Sequence, residues 1–376
     1  MLYSHLSIIF IRKIGLFNQY KQTIFKGANN HMRIAIMGAG SLGTIIGAYL
    51  SKGTDIVELI DVNQAHVNAL NKKGASIVGT VSETLPVKAL TPDEMTGVYD
   101  LVLLLTKQVF NEDVLHNLKQ YIHNETIVLS LQNGVPEESL SFALGEDRVI
   151  GGSVEFGATW VEPGVSELTS AADAFKANAF QIGELNGNQS DRILHIKEIL
   201  NLVGGTEVSE NLVGTKWSKL LVNVAMSGMS AALGCTYGDI LNHEAAVTSA
   251  VMLADETLKA GAAAGVEFTT LAGVHVGIFT INEEKSNMPF VIGVAKQAFS
   301  PQALLKASML QDLEKSRKTE IDYINGVVSE KGKEFGVRTP FNDLVVQLVK
   351  DAEAQKSVPQ FEENILFFEE LVKREI

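Results

Sequence analysis

Met32-Arg-Ile-Ala-Ile-Met-Gly-Ala-Gly-Ser-Leu-Gly43 decides how this 376-residue chain is read. Ile34 to Met37 is a short apolar run that predicts a buried strand. Gly38, Ala39, Gly40, Ser41, Leu42 and Gly43 follow with the spacing G-x-G-x-x-G, and Ile45, Ile46, Ala48 and Leu50 continue with helical period to Gly53. Strand, glycine turn and helix in that order place backbone N–H groups at a helix N-terminus, where they receive a pyrophosphate. The bland alternative is a tight strand–helix turn with no ligand. Asp61, eighteen residues after Gly43 and at the end of a second apolar run, weighs against it. An acid there accepts hydrogen bonds from the adenosine ribose and repels a 2′-phosphate, which favours NADH over NADPH. A surface Asp capping the helix after Val62-Asn63-Gln64 is the competing account of Asp61.

Outward from the turn, apolar runs alternate with helical patterns to about residue 200. Ile56 to Ile60, Leu101 to Leu105 and Thr126 to Leu131 predict strands, and Val149 and Ile150 begin another that runs into Gly151-Gly152. Near-continuous apolar strands between helices imply a doubly wound parallel α/β sheet of Rossmann type, covered on both faces. Ligands bind outside the carboxyl ends of such strands. The glycine turn, Asp61, Lys107 and Asn133 therefore share one edge. Residues 153–187, with Val165 to Leu168 alternating, read as strands and turns that finish the sheet. From about Gly205 helical patterns dominate: Lys216 to Leu233, Ala245 to Ala264, Thr319 to Phe335 and Phe341 to Ala354. The expected organisation is an extension over 1–31, a dinucleotide-binding domain over 32–204 and an all-α domain over 205–376.

Composition excludes several classes. The net charge is −13 with no basic cluster, which argues against a nucleic-acid partner. No apolar stretch is long enough to span a bilayer. The single cysteine, Cys235, fits a reducing, cytoplasmic setting and reads as a buried, inert thiol. No Cys/His spacing suggests a metal. His31 and His123 read as solvated, and His66 as lying on a helix surface. Residues 1–31 carry Arg12, Lys13, Lys21 and Lys26 without an acid, and they read as an extension the fold does not need.

Lys219, Asn223 and Ser227 are spaced i, i+4, i+8, so one helix face carries all three. A lysine amid Leu220, Leu221, Val222 and Val224 needs a partner if buried. Lys and Asn together can hold and protonate a carbonyl oxygen, although a snorkelling lysine with a solvated Asn fits the spacing as well. Thr319 to Asp322 reads as a capping box that starts a helix with Glu320 in its first turn. On one unbroken helix Ser308 and Glu320 would stand ~18 Å apart. A break before Thr319 would let both reach one cleft.

These motifs together resemble the ketopantoate reductase family (2-dehydropantoate 2-reductases). The resemblance is carried by Met32 to Gly43, Leu104-Leu-Thr-Lys107, Leu131-Gln-Asn-Gly134, Lys219-Leu-Leu-Val-Asn223, Ser308-Met-Leu-Gln-Asp312 and Thr319-Glu-Ile-Asp-Tyr-Ile-Asn-Gly326. It implies NAD(P)H-dependent reduction of 2-dehydropantoate to pantoate, in pantothenate biosynthesis, at a cleft between the domains. It further implies Lys219 as general acid, Lys107 and Asn133 at the cofactor, and Asn133, Asn223, Ser227 and Ser308 at the substrate. Glu320 would lie near the cofactor ribose and Lys219. Three positions depart from the family pattern. Ser227 and Leu305 stand where the family often has Asn, and Asp61 stands where many members, using NADPH, have a basic or neutral residue. The departures keep in view an NADH-dependent D-2-hydroxyacid dehydrogenase of the same fold, acting on a branched or aromatic 2-oxo acid. A non-catalytic dinucleotide sensor is the reading from a different class. A homodimer is compatible with the sequence.

Overall fold

The structure, a computed structural model, describes residues 31–376 apart from Thr54 and Ala272. The extension expected over 1–31 thus lies outside the described residues, except for His31, which is exposed. The first half runs β1 (Arg33–Met37), α1 (Ser41–Leu50), β2 (Ile56–Ile60), α2 (Gln64–Lys73), β3 (Ala75–Gly79), β4 (Glu83–Leu85), β5 (Lys88–Leu90), β6 (Tyr99–Leu104), α3 (Asn111–Leu118), β7 (Ile122–Ser130), α4 (Glu137–Leu144) and β8 (Val149–Val154). It continues through β9 (Ala158–Glu162), β10 (Val165–Leu168), α5 (Ala172–Ala177), β11 (Phe180–Gly183), α6 (Asp191–Leu200) and β12 (Thr206–Val208).

Among the described residues the main sheet has eight strands in the order β12-β11-β8-β7-β6-β1-β2-β5. Every neighbouring pair is parallel except β8 and β11. β1 shows why its sequence is apolar from Ile34 to Met37. Ile34 and Ile36 pack into the core on one face, and Ala35 and Met37 into the core on the other. Because β2, β1, β6 and β7 run parallel side by side, the glycine turn, Asp61, Lys107 and Asn133 follow four adjacent carboxyl ends, as expected.

Two expectations need correction. Val165 to Leu168 is a strand, but it does not finish the main sheet. With β9, β3 and β4 it forms a separate sheet in the order β4-β3-β10-β9, lying against α1. These strands are short and half solvated, so their alternation carries no label of the sheet they join. The domain limit at 204/205 also falls short, because Thr206–Val208 pair with Phe180–Ile182 in the main sheet. The helical part starts at Leu212.

That part comprises α7 (Leu212–Val222), α8 (Met229–Leu233), α9 (Tyr237–Asn242), α10 (Glu244–Ala263), α11 (Met288–Phe299), α12 (Ser308–Glu314), α13 (Asn325–Phe335), α14 (Pro340–Gln355) and α15 (Phe361–Glu375). Its own core surrounds the buried α10. A π-helical stretch, Asn223–Gly228, joins α7 to α8. Such a stretch leaves a carbonyl without its usual partner. Here the Asn325 side chain donates to Val224 O at 3.2 Å, and a Cβ on Gly228 would strike that side chain. Cys235 is buried, and burial pushes its thiol up to about 12. That fits the inert role expected of it.

The capping box at Thr319 is not realised. Residues 321–323 form a 3-10 turn, and the α-helix begins only at Asn325. Thr319 Oγ1 accepts from Ile321 N–H, and Asp322 pairs with Lys350 instead of reaching back. The expected break is present, since α12 ends at Glu314.

Asn325 also donates to Asn342 Oδ1 at 3.0 Å. The buried Glu256 on α10 in turn accepts from the N–H groups of Phe341 and Asn342, and from the Asn342 side chain. Burial raises the Glu256 carboxyl from 4.5 to about 7 against those bonds. A folded-state value above the ordinary one means that folding takes up a proton between those limits. The stabilising contribution is complete below about pH 4.5 and is lost as pH rises through about 7. Urea unfolding of wild type and Glu256→Gln across this range should show the wild-type advantage shrinking with pH. Parallel curves would refute this.

Candidate active site

The helical domain meets the carboxyl edge of the sheet chiefly through α7. Lys216, in its second turn, is buried, and its ammonium donates to Gln132 O at 2.7 Å and Gly152 O at 3.0 Å. It also lies 2.9 Å from Glu137 Oε1, an ion pair without directed hydrogen-bond geometry. One lysine thus joins the helix to the ends of β7 and β8 and to the start of α4. Gln132 is held further by its amide, which donates to Thr106 O and Asn111 Oδ1, both at 2.7 Å.

Three residues on, Lys219 opens into a cavity with Asn133, Gly134, Ser153 and Asn223. Its side chain is 28 % exposed. Nζ donates to Ser153 Oγ at 2.9 Å and to the carbonyl of Val154, and it faces Glu155 Oε1 at 3.5 Å. Burial pulls its pKa below the ordinary lysine value. Glu155 opposes that shift and Lys216 adds to it. The lysine is therefore an easier proton donor than a solvated one, which suits a general acid.

A second cluster closes the cleft beyond the cavity. Lys107, after β6, pairs with the buried Asp312 on α12. Gln108 N–H donates to Glu320 Oε1 at 2.9 Å, and Gln108 Nε2 donates to Asn133 O at 2.5 Å. Glu320 is 8 % exposed. Burial raises its pKa, and the Gln108 bond and the nearby lysines oppose the rise. Gly134 has φ +77°, and a Cβ there would meet Tyr323 O at 2.6 Å. Only glycine lets this loop pass beneath the turn that carries Glu320.

The structure thus brings Asn133, Lys219 and Asn223 together. Lys107 and Glu320 meet beside them. Ser308 is exposed at the start of α12, four residues before Asp312. Ser227 is not among the cavity residues. The π-helical stretch turns it inward, where its hydroxyl meets that of Tyr237 at 2.9 Å. The carboxylate facing Lys219 is Glu155, whereas Glu320 is bound to the Gln108 backbone. Glu155, Ser153 and Lys216 had no sequence reading, and Asp312 appeared only within a motif. Glu155 follows the end of β8 directly, so extending that strand past Gly152 would have placed it on the same edge.

The glycine turn fits a dinucleotide. Gly38 has φ +97°, and a Cβ there would crowd Thr106 N at 2.8 Å. A Cβ on Gly43 would meet Gly38 O at 2.1 Å. A Cβ on Gly40 would enter open space. The first and third glycines serve the turn itself, and the second leaves room above it. No side chain caps α1 and no acid occupies its first turn, so its leading N–H groups, from Ser41, Leu42 and Gly43, remain suited to an anion. Asp61 follows β2, and its carboxylate accepts from Asn63 N–H at 2.9 Å, whereas the cap of the next helix is Asn63, whose side chain accepts from His66 N–H.

His66, expected on a helix surface, is fully buried behind this turn. Its Nδ1 accepts from Gly164 N–H at 2.9 Å, which places the ring proton on Nε2, 2.8 Å from Ala39 O. Burial lowers its pKa, in keeping with a neutral ring.

Among the described residues no cluster of candidate metal ligands occurs, and no helix is long and apolar enough to cross a membrane. Replacing Lys216 with Met would strand Glu137 without its counter-charge. Urea unfolding of Lys216→Met should show a loss of about 3–5 kcal/mol, with part regained in Lys216→Met/Glu137→Gln. A single variant as stable as wild type would contradict this account of the helix–sheet contact.

Residues 34–182 match the family model described as ketopantoate reductase PanE/ApbA, and residues 211–353 match its C-terminal counterpart. The 2-dehydropantoate 2-reductase of Pyrococcus horikoshii is 32% identical over 325 residues, covering 86% of this chain and 98% of that protein. The enzyme of the same name from Streptococcus pyogenes serotype M6 is 30% identical with the same coverage. Among solved structures, a D-mandelate dehydrogenase with NADH and anilino(oxo)acetate superposes with a TM-score of 0.73 at 26% identity, over 86% of this chain and 99% of that one. A PanE/ApbA family ketopantoate reductase from Ralstonia eutropha JMP134 superposes with a TM-score of 0.72 at 24% identity, with the same coverage.

Proposed function

The chain belongs to the ketopantoate reductase family, and we infer from that membership and from the cleft that it is an NAD(P)H-dependent 2-dehydropantoate 2-reductase. The observation that carries the reading is Lys219, a partly buried ammonium with a lowered pKa, opening into a cavity beside Asn133 and Asn223. A protein that only sensed a dinucleotide has no need of a positioned acid.

The nicotinamide, when bound, supplies a hydride to C2 of the 2-oxo acid. The turn from Gly38 to Gly43 holds the pyrophosphate on backbone N–H groups. Asp61 takes the ribose, and Lys107 with Asn133 orients the cofactor near the cavity. Asn133 and Asn223 present amides to the substrate, and Ser308, exposed at the start of α12, supplies a hydroxyl. Lys219 stabilises negative charge developing on the carbonyl oxygen and transfers a proton to it, leaving a neutral amine. Glu320, bonded to Gln108 N–H, joins the helical domain to the loop that carries Lys107.

Lys219→Ala should lower kcat by about 10²–10⁴. Near-wild-type turnover would remove Lys219 from this role. Asp61 supports NADH as the preferred cofactor. Asp61→Ser should move the ratio of kcat/KM values toward NADPH by about tenfold or more, since a carboxylate facing a phosphate costs several kcal/mol. An unmoved ratio would place the preference elsewhere.

A D-2-hydroxyacid dehydrogenase is the second reading. It is favoured by Asp61, by Leu305 and the inward Ser227 in place of amides, and by the likeness to a mandelate dehydrogenase with NADH. Assays of 2-dehydropantoate against branched and aromatic 2-oxo acids, each with NADH and NADPH, decide between them.

A further inference from the structure

We propose that Glu155 is a positioning residue for the proton-transfer step, acting on Lys219 through a Lys219–Ser153–Glu155 chain at the end of β8. The proposal rests on the reading of Lys219 as general acid. The Lys219 ammonium has three N–H groups. Two are committed to Ser153 Oγ and Val154 O, which leaves the third for the cavity. Because Ser153 Oγ accepts from Lys219, its own proton is free to point elsewhere, and it donates to Glu155 Oε1 at 2.5 Å. Glu155 is fixed in turn by its backbone N–H, which donates to Ala179 O at 2.9 Å, and by the pairing of β8 with β11. The carboxylate also faces Nζ directly at 3.5 Å.

The chemistry follows from those directions. The charged groups that face Lys219 are Glu155 from the strand side and Lys216 from its own helix, and the Lys216 charge is matched by Glu137. Burial and Lys216 both favour loss of the lysine proton, and Glu155 alone among these neighbours favours keeping it. When Lys219 gives its proton to the substrate oxygen, a neutral amine remains beside a carboxylate. The attraction between charges is restored only when Lys219 takes a proton back from solvent. Glu155 thereby resets the acid after each turnover and keeps its third N–H aimed into the cavity. Without Glu155 the amine would stay neutral over more of the working pH range.

The test measures kcat from about pH 6 to about pH 10, cofactor affinity by nucleotide fluorescence, and thermal midpoint, for wild type, Glu155→Gln, Glu155→Asp and Ser153→Ala. In Glu155→Gln the alkaline limb of kcat should move to lower pH by about one unit or more. The loss of kcat should reach about tenfold above that limb and be small below it, with cofactor affinity unchanged. Glu155→Asp keeps the charge and should recover most of the alkaline activity. Ser153→Ala should lower kcat with a smaller shift, and adding it to Glu155→Gln should cost little more. A uniform fall at every pH, or an unmoved limb in both Glu155→Gln and Ser153→Ala, overturns the proposal. If Glu155→Gln proves unfolded by its thermal midpoint, Glu155→Asp and Ser153→Ala decide by the same criterion. Lys219→Ala separates the two levels of inference. Its retention of turnover defeats the general-acid reading, whereas its failure beside an unmoved limb in the Glu155 variants defeats only the role of Glu155.

Discussion

The arrangement depends on one buried ammonium. The carboxyl edge of a parallel sheet ends in carbonyls that the next element must satisfy, and in this protein Lys216 meets two of them, Gln132 O and Gly152 O. A desolvated lysine is costly unless its donors and its charge are matched. Glu137 supplies the charge. Once α7 is fixed to the sheet in this way, a residue one turn later has little freedom in where it points. Lys219 is that residue. The cleft is a consequence of how the second domain is fastened.

The far side of the cleft is fastened differently. Lys107 with Asp312, and Gln108 N–H with Glu320, cross from the sheet to α12 and to the turn before α13. These contacts involve a surface-reaching lysine and a single backbone donor, so they are the easier ones to part.

Much of this was legible in the sequence. β1 is apolar from Ile34 to Met37 because both faces are covered, and Gly38 and Gly43 had to be glycines for reasons of φ and contact. The helices of the second half were visible where one face is buried. The second sheet was not, because β9 and β10 are short and half solvated, and nothing local distinguishes a strand that joins one sheet from a strand that joins another. Ser227 was placed on the wrong face because a spacing of four assumes α geometry, and the π-helical stretch breaks that assumption. His66 looked like a surface residue, since its partners Ala39 and Gly164 come from 27 and 98 positions away. Glu155 was missed because its meaning comes from a lysine on another domain.

The π-helical stretch has one further consequence. α7 takes its register from the sheet edge through Lys216. α8 takes its register from the helical core, through Met229, Ala231 and Leu233. α7 also buries Trp217, Leu220 and Leu221 in that same core, so it answers to the sheet edge and to the core at once. Residues 223–228 widen the helix between those two demands while the chain stays helical. Asn223, the first residue of that stretch, also lines the cavity, so the widening of the helix sits at the edge of the site.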